Sequence, residues 1–569
     1  MKKKNIFHSI LAGAALTLAA TSCSIEPEFY TQVAPETFYT SQDAVWQRFN
    51  RSMTHWRWYM GESDARWALQ ELGTDEYCLP TRGTDWQDGG QYQRIHHHDF
   101  DDHMTRIHDG WKNVGMGVAL AWDALEDLNQ IDFDKLGFAA GTRESMLAQQ
   151  QVVAASLLID GLDFFGGQPL YNSTQEDLKG RSTDKETFEY IDSLLTEALP
   201  LLPVKNELGA METGAPYVAA AAALRARLYF NAESYIGKDM YSEAAKVCQD
   251  ILDGKYGKYA LDQDWTKTFG FTNEYSHEII WSVPSENAKT ETNGGYWVWQ
   301  VPYNYKNYLG GIEGSGSNNG ICLTPGLDPL GNPYTFKLGS PYRKFHDEDI
   351  RKQPYVYLGN GQYKGMFIVG ELVNPLNPEW TCTGSREYAG KVLTIPDQIG
   401  YFNRVGTPEY PTLADIPSDI AHAEENSGVR LMKRSPRPDV NEQKLKGNPD
   451  TPVIRLAEIY YILAECKYRS GDAAGAAELI NTVRARYFEG ADPDPVTASN
   501  LDKYRLLDEW MIEFLGEGRR RTDLVRWNAY VTEDWWDHKA TNDKNLNRFP
   551  VYYSILGSNS LLEQNPGYN

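Results

Sequence analysis

Val453-Ile454-Arg455-Leu456-Ala457-Glu458-Ile459-Tyr460, with Ala464-Glu465 a turn further on, opens an apolar stripe that runs to Tyr468. Ser470-Gly471-Asp472 breaks it, and Ala473 to Arg486 takes up helical periodicity again, so the stretch reads as a helix hairpin. The arrangement also occurs earlier: Tyr217 to Tyr235 is rich in Ala and Leu, Gly237-Lys238-Asp239 interrupts, and Tyr241 to Leu252 follows. Ala221, Ala226 and Ala244 in one hairpin, and Ala457, Ala464 and Ala477 in the other, let paired helices approach closely. Trp111, Val114, Val118, Trp122, Leu125 and Leu128 form one further helical face. From about Tyr256 to Asn448, Gly, Pro, Asn and Tyr are plentiful and periodicity is weak. The fold class this predicts is mainly α: a helix-hairpin scaffold carrying a long, irregular, loop-rich layer, where binding residues concentrate.

The hairpins resemble tetratricopeptide units, but ~200 residues separate the two best copies, far more than one 34-residue repeat, which excludes a simple tandem array. The chain has 569 residues and a formal charge of −23. That acidity argues against a nucleic-acid partner, which needs clustered Lys and Arg, and a mean hydropathy of −0.54 argues against a polytopic membrane protein. Aromatics are plentiful, with 35 Tyr, 16 Trp and 20 Phe; Trp and Tyr suit flat apolar binding surfaces with polar tips as well as cores. Met1-Lys2-Lys3-Lys4, an apolar run from Ile10 to Ala20, and Thr21-Ser22-Cys23 describe a secretory signal over residues 1–22. Small residues directly before Cys23 resemble a lipobox, which predicts a lipid anchor on Cys23 and a short tether over residues 23–36. Cys248 and Cys466 sit in helical apolar patterns and read as core. A Cys322–Cys382 bridge is permitted in an exported compartment, but nothing in the sequence selects it.

Five motifs follow in order. Thr37-Phe38-Tyr39 with Asp43-Ala44 comes first, then Arg225-Ala226-Arg227-Leu228-Tyr229, then the Val453–Glu465 stretch. Glu509 to Trp527 contains Glu513, Phe514, Glu517-Gly518-Arg519-Arg520 and Asp523-Leu524, and the chain closes on Pro550-Val551-Tyr552 and Gln564-Asn565-Pro566-Gly567-Tyr568. In this order, behind a lipidated Cys, they resemble the SusD/RagB family of Bacteroidetes-type surface lipoproteins; Tyr552 departs from a second Pro in the closing pattern. The resemblance covers nearly the whole mature chain, with an N-terminal helical part at 37–254 and a C-terminal part with the looped layer and closing helices at 255–569. It implies a SusD-like α-α superhelix of tetratricopeptide-like units. It also implies non-catalytic capture of an oligosaccharide or polysaccharide at the outer-membrane surface. The partner implied is a SusC-like TonB-dependent transporter, with the membrane engaged through the lipid anchor alone; capture of peptides, as in RagB-like members, is the alternative.

A sugar site needs an apolar platform and polar side chains for hydroxyls. Three clusters offer one. In Thr84-Asp85-Trp86-Gln87-Asp88-Gly89-Gly90-Gln91-Tyr92, Trp86 stands in a loop that cannot bury it in a helix face, with Asp85 beside it. Thr74-Asp75-Glu76 upstream matches a segment that precedes a platform Trp in the family's starch-binding member. In Asn293-Gly294-Gly295-Tyr296-Trp297-Val298-Trp299, strand-like alternation would expose Tyr296 or Trp299. The third is Asn318-Asn319-Gly320-Ile321-Cys322, where Ile321 replaces an aromatic of the starch-binding member, a departure that argues against an α-glucan. Arg386 is a further polar candidate.

His96-His97-His98-Asp99-Phe100-Asp101-Asp102-His103 matches no zinc or EF-hand spacing and reads as a solvated loop, so no metal or cofactor is implied. Trp56-Arg57-Trp58-Tyr59 and Trp535-Trp536 read as packing. A surface glycoside hydrolase, the reading from a different class, needs carboxylates ~5–9.5 Å apart across a cleft. Glu458 and Glu465 share one helix and lie ~10.5 Å apart, while Glu509, Glu513 and Glu517 neighbour Arg519, Arg520, Arg521 and Arg526. Ion pairs that fix the last helices explain these acids better than catalysis, and no residue is assigned a catalytic role.

Overall fold

The computed structural model describes residues 38–62, 64–285, 299–303, 318–373, 378–379, 381–382, 387–435 and 449–568. The leader, Cys23 and the tether lie outside these residues. The main helices are α1 (Gln42–Arg57), α2 (Asp64–Glu71), α3 (Thr105–Gln130), α4 (Thr142–Phe165), α5 (Asp184–Ala198) and α6 (Val218–Phe230). They continue as α7 (Tyr241–Leu252), α8 (Leu456–Arg469), α9 (Ala473–Arg484), α10 (Lys503–Phe514) and α11 (Arg520–Arg526). Local chemistry starts several of them. Ser41 caps α1, Asp472 caps α9 and Asp502 caps α10, each side chain accepting an amide of the first turn. Thr183 and Glu186 close a reciprocal capping box on α5.

Neighbouring helices pack in sequence, α1 on α3, α3 on α4, α4 on α5, α5 on α6 and α6 on α7; α7 then packs on α8, and α8 on α9. The two hairpins that are distant in sequence are thus adjacent in space. Ala221, Ala226, Ala244, Ala457 and Ala464 are fully buried at these contacts, and Cys248 and Cys466 lie in the core. The mainly helical scaffold is as expected, with differences at the ends of elements. The stripe from Val453 begins as a strand, β4 (Thr451–Arg455), antiparallel to β2 (Ile279–Val283), because Thr451, Val453 and Ile454 are β-branched and favour extended chain. The Tyr217–Tyr235 helix is broken at Asn231, whose side-chain amide donates to the Arg227 carbonyl at 2.9 Å, and a short helix, Ala232–Ile236, follows.

The looped layer contains only short antiparallel two-stranded ladders among the described residues. One joins β1 (Tyr77–Cys78) to β3 (Cys322–Leu323). One large apolar core runs from Trp56 to Val551, with Trp56 stacked on Trp281 at 4.0 Å, and two smaller clusters lie beside it. Trp56, Tyr59, Trp535 and Trp536 are packed as expected, whereas Trp58 is 39 % exposed at the end of its turn. The histidine run is not a solvated loop. His96 and His98 are buried, His98 bonding the Gly73 carbonyl at 2.8 Å, while His97, Asp99 and His103 are exposed. A left-handed turn at His98 divides consecutive residues between core and water. Burial brings His96 down to about 4 and His538, whose Nδ1 meets the His96 carbonyl, to about 3.

The acids and arginines of the closing motifs form buried ion pairs. Arg526 meets Glu465 through both oxygens at 2.9 and 3.0 Å, and the same carboxylate accepts the Trp510 indole N–H at 2.8 Å. Arg455 reaches Glu513 at 2.6 Å, Glu517 at 2.8 Å and Glu278 at 3.0 Å. Arg227, from α6, holds Glu458 of α8 at 2.6 Å, and Arg520 grips Asp75 at 2.7 and 2.9 Å. Burial raises Glu513, but Arg455, Arg486, Arg351 and Lys433 outweigh it and hold the carboxyl at about 2. At the C-terminus Gln564 brackets the Val551 backbone with two bonds of 2.7 Å, and Asn565 donates to Phe165 and Phe549 carbonyls. That pins the final segment without a second proline at Tyr552.

Removing one partner of a buried pair leaves an unpaired charge, so Glu465→Ala should lose about 3–5 kcal/mol of stability. Its denaturant midpoint should fall accordingly, and the Glu465→Leu/Arg526→Met double change should lose less than the sum of its parts. A second expectation concerns pH. Burial pushes Glu71 up to about 7 and, together with the Glu71 charge, Glu76 well above the usual carboxylate range. Stability contributed by the protonated form of Glu71 is fully present below the unfolded value of 4.5 and is lost as pH rises through about 7, and that of Glu76 is lost as pH rises through its own raised value. Glu76→Gln should therefore gain stability relative to the parent as pH is raised past neutrality in thermal melts.

Candidate functional site

The loop after β1 turns tightly, with paired backbone bonds of 3.0 Å between Arg82 and Asp85. Trp86 then adopts a left-handed backbone, φ 64°, followed by Asp88, Gly89 and Gly90 at positive φ. For Gly this costs little, but for a bulky residue such as Trp86 it is a strained conformation that the surroundings must enforce. They do so from a distant segment. The Trp86 indole N–H donates to the Asn318 carbonyl at 2.8 Å, and the ring lies so close to Gly320 that a Cβ there would stand 2.7 Å from it. Asn319, itself left-handed, is buried between Arg430, which donates to its side-chain oxygen at 3.0 Å, and the Glu425 carbonyl, which accepts its amide at 2.9 Å.

Trp299 completes the cluster. Its carbonyl accepts the Gly320 and Ile321 amides at 2.6 and 3.0 Å, and its ring lies 5.1 Å from that of Trp86, inclined at 46°. Both indoles are half-buried, and buried Tyr92 packs beneath them at 6.2 and 6.3 Å. Arg106 sits 5.4 Å from the Trp299 ring and donates to the Tyr92 hydroxyl at 2.9 Å. Three clusters therefore meet: the Trp86 loop and, over two hundred residues later in the sequence, Trp299 and the Asn318–Gly320 turn. Exposed Thr84, Gln87 and Asp88 lie beside Trp86 along its loop.

Other expected residues behave differently. Asp85 accepts the Tyr303 hydroxyl, so its carboxylate has a protein partner. Trp299 and Gln300 are helical rather than strand-like, and the Trp299 carbonyl accepts the Gly320 and Ile321 amides. Tyr296 and Arg386 lie outside the described residues. Thr74, Asp75 and Glu76 are fully buried beneath the loop, with Asp75 held by Arg520. Ile321 is fully buried too, so this position adds no wall to an open site. Cys322 faces Cys78 across the β1–β3 ladder, with sulfurs 3.6 Å apart, rather than Cys382. Arg82, whose guanidinium donates to the Gly320, Glu424 and Ser427 carbonyls, is not visible in the sequence as a site residue because all three partners are distant along the chain. Burial and the Arg82 charge bring nearby Arg430 down to about 9. Among the described residues no cluster of His, Cys, Asp and Glu is arranged to hold a metal ion.

The arrangement is an angled pair of half-exposed indoles on a rigid turn, suited to binding rather than to proton transfer. Comparison with known proteins agrees. The chain belongs to the SusD family, whose model matches residues 277–568. Members of this family are non-catalytic binding proteins. The chain is 28 % identical over 430 residues to the starch-binding protein SusD of Bacteroides thetaiotaomicron, covering 72 % of this chain and 70 % of that protein. A SusD superfamily protein from Parabacteroides distasonis superposes with a TM-score of 0.64 at 16 % identity, over 94 % of this chain and all of the other. Surface glycan-binding protein A of Bacteroides fluxus does so with a TM-score of 0.59 at 17 % identity, over 93 % of this chain and 100 % of that one.

Gly320→Ala tests the seat of Trp86. The added methyl should push the indole off the turn, shifting tryptophan emission, while an unchanged spectrum would show that the ring is not seated there.

Proposed function

We propose that this chain is a cell-surface lipoprotein that binds an oligosaccharide or polysaccharide without altering it and passes it to a SusC-like TonB-dependent transporter. The observation that carries the reading is Trp86, an aromatic held half-exposed in a strained left-handed conformation by contacts from three segments. A core tryptophan needs no such strain, whereas a platform for the C–H face of a sugar needs a fixed, water-facing ring. Each face contributes apolar burial at about 25 cal/mol per Å², so Trp86 with Trp299 gives modest affinity that a multivalent glycan would amplify. The family's starch-binding and surface glycan-binding members support a glycan, although buried Ile321 argues against transferring starch as the ligand. Tyr296 and Arg386 are proposed as additional contacts, and acylated Cys23 as the anchor to the outer membrane, with the protein facing outward.

The test is affinity electrophoresis of the purified chain against a panel of neutral and charged polysaccharides and of peptides. At least one polysaccharide should retard the chain, and Trp86→Ala should lose most of the retardation with an unchanged melting temperature. Binding confined to peptides, or release of hydrolysis products from a polysaccharide, would overturn the reading. Cys23→Ala should move the chain from the membrane to the soluble fraction.

A further inference from the structure

Cys78 and Cys322 are the directly opposed residues of the β1–β3 ladder. The Thr324 amide donates to the Glu76 carbonyl at 3.0 Å, so alternation along an antiparallel pair makes Cys78 and Cys322, two residues on, a hydrogen-bonded pair as well. Opposed Cα atoms at such a position stand ~5.5 Å apart, within the ~4.4–6.8 Å that a disulfide spans. The sulfurs already lie 3.6 Å apart, both fully buried, and small rotations about the side-chain bonds bring them into covalent reach. The backbone at Gly428 packs close to Cys322, where a Cβ would stand 2.6 Å from its sulfur.

We propose that Cys78 and Cys322 form a disulfide, fastening the strand that leads into the Trp86 loop to the strand that follows the Asn319–Gly320 turn. The oxidant is a protein disulfide of the kind that oxidises exported chains. While the chain is still folding and the pair is open to solvent, the Cys322 thiolate attacks one sulfur of that disulfide and expels the other as a thiolate, giving a mixed disulfide. The Cys78 thiolate then attacks the Cys322 sulfur and displaces the oxidant's remaining sulfur. Two thiols become one disulfide, and two electrons and two protons end on the oxidant as a dithiol. In the folded chain the guanidiniums of Arg82 and Arg430 flank the pair: burial raises both thiols, but the Cys78 hydrogen bond and the two arginines bring Cys322 below the ordinary thiol range, leaving Cys78 well above it. The link would close a loop of over two hundred residues, the kind of closure that most restricts an unfolded chain. It would also hold Trp86 against Gly320 through covalent geometry as well as packing.

The test uses the full chain directed to an oxidising bacterial periplasm by a standard export signal, so that it does not depend on this chain's own leader. Free thiols are alkylated under denaturing conditions without reductant, and the digest is mapped by mass spectrometry. The expected result is a linked peptide pair containing Cys78 and Cys322, about 2 Da lighter than the sum of the two thiol peptides, with Cys248, Cys382 and Cys466 alkylated. Reductant should lower the melting temperature by several degrees, and Cys78→Ala/Cys322→Ala should melt at one temperature with or without it. Alkylation of both Cys78 and Cys322 in the exported chain, or a link from Cys322 to Cys382, would overturn the proposal. Mapping uses the unsubstituted chain, so its outcome does not require the double variant to fold. Failure of glycan binding in a chain that carries the link would count against the proposed function alone.

Discussion

The bidentate pair between Arg520 and Asp75 is the constraint on which the rest of the structure depends. Both side chains are wholly removed from water, and they join the closing helix α11 to the segment that enters the Trp86 loop, 445 residues earlier. Asp75 also accepts the Gly339 amide at 2.8 Å, its carbonyl accepts the Thr324 hydroxyl at 2.6 Å, and Arg520 donates to the Leu507 carbonyl at 2.6 Å. Taking two charges out of water costs several kcal/mol per ion, and only such complete hydrogen bonding offsets it. Buried charge of this kind adds less net stability than apolar packing would. Its effect is on geometry, because an alternative packing would leave a charge unpaired in the interior.

The same logic governs the acids that a hydrolase reading would need. Glu458, Glu465, Glu513 and Glu517 each face at least one guanidinium, and the neighbouring charges hold these carboxyls below their ordinary range despite burial. A general acid requires the opposite shift. Glu71 and Glu76, two of the carboxyls that burial pushes upward, are sealed beneath the loop.

Much of the scaffold is legible in the sequence because it rests on local rules: apolar spacing marks the hairpins, and Gly237 and Gly471 mark their turns. That the hairpins stack on one another is not legible, since α7 and α8 meet across some two hundred intervening residues. The Trp86 loop is recognisable from its Gly-Gly pair and polar neighbours. Its partners are harder, because Trp299, Asn318 and Gly320 announce nothing about one another until β1 pairs with β3. The histidine run misleads for a related reason: its residues look solvated by composition, but the left-handed turn at His98 sends His96 and His98 inward to carbonyls contributed by Trp536 and Gly73.

Strain at the site and rigidity beneath it are connected. Trp86, Asp88 and Asn319 are all non-glycine residues at positive φ, and they lie on two facing turns. Each such conformation costs of order 1–3 kcal/mol and persists only where its surroundings fix it. Asn319 is fixed by Arg430, Trp86 by the Asn318 carbonyl and the bare surface of Gly320, and the turn itself by the Trp299 carbonyl. Below them, Asp75 and Arg520 anchor the strand that carries the loop. A ring on a mobile loop would lose conformational freedom each time a ligand bound, and binding would be weaker by that cost. Here the freedom is given up on folding, so a ligand at the proposed platform would meet indoles already ordered.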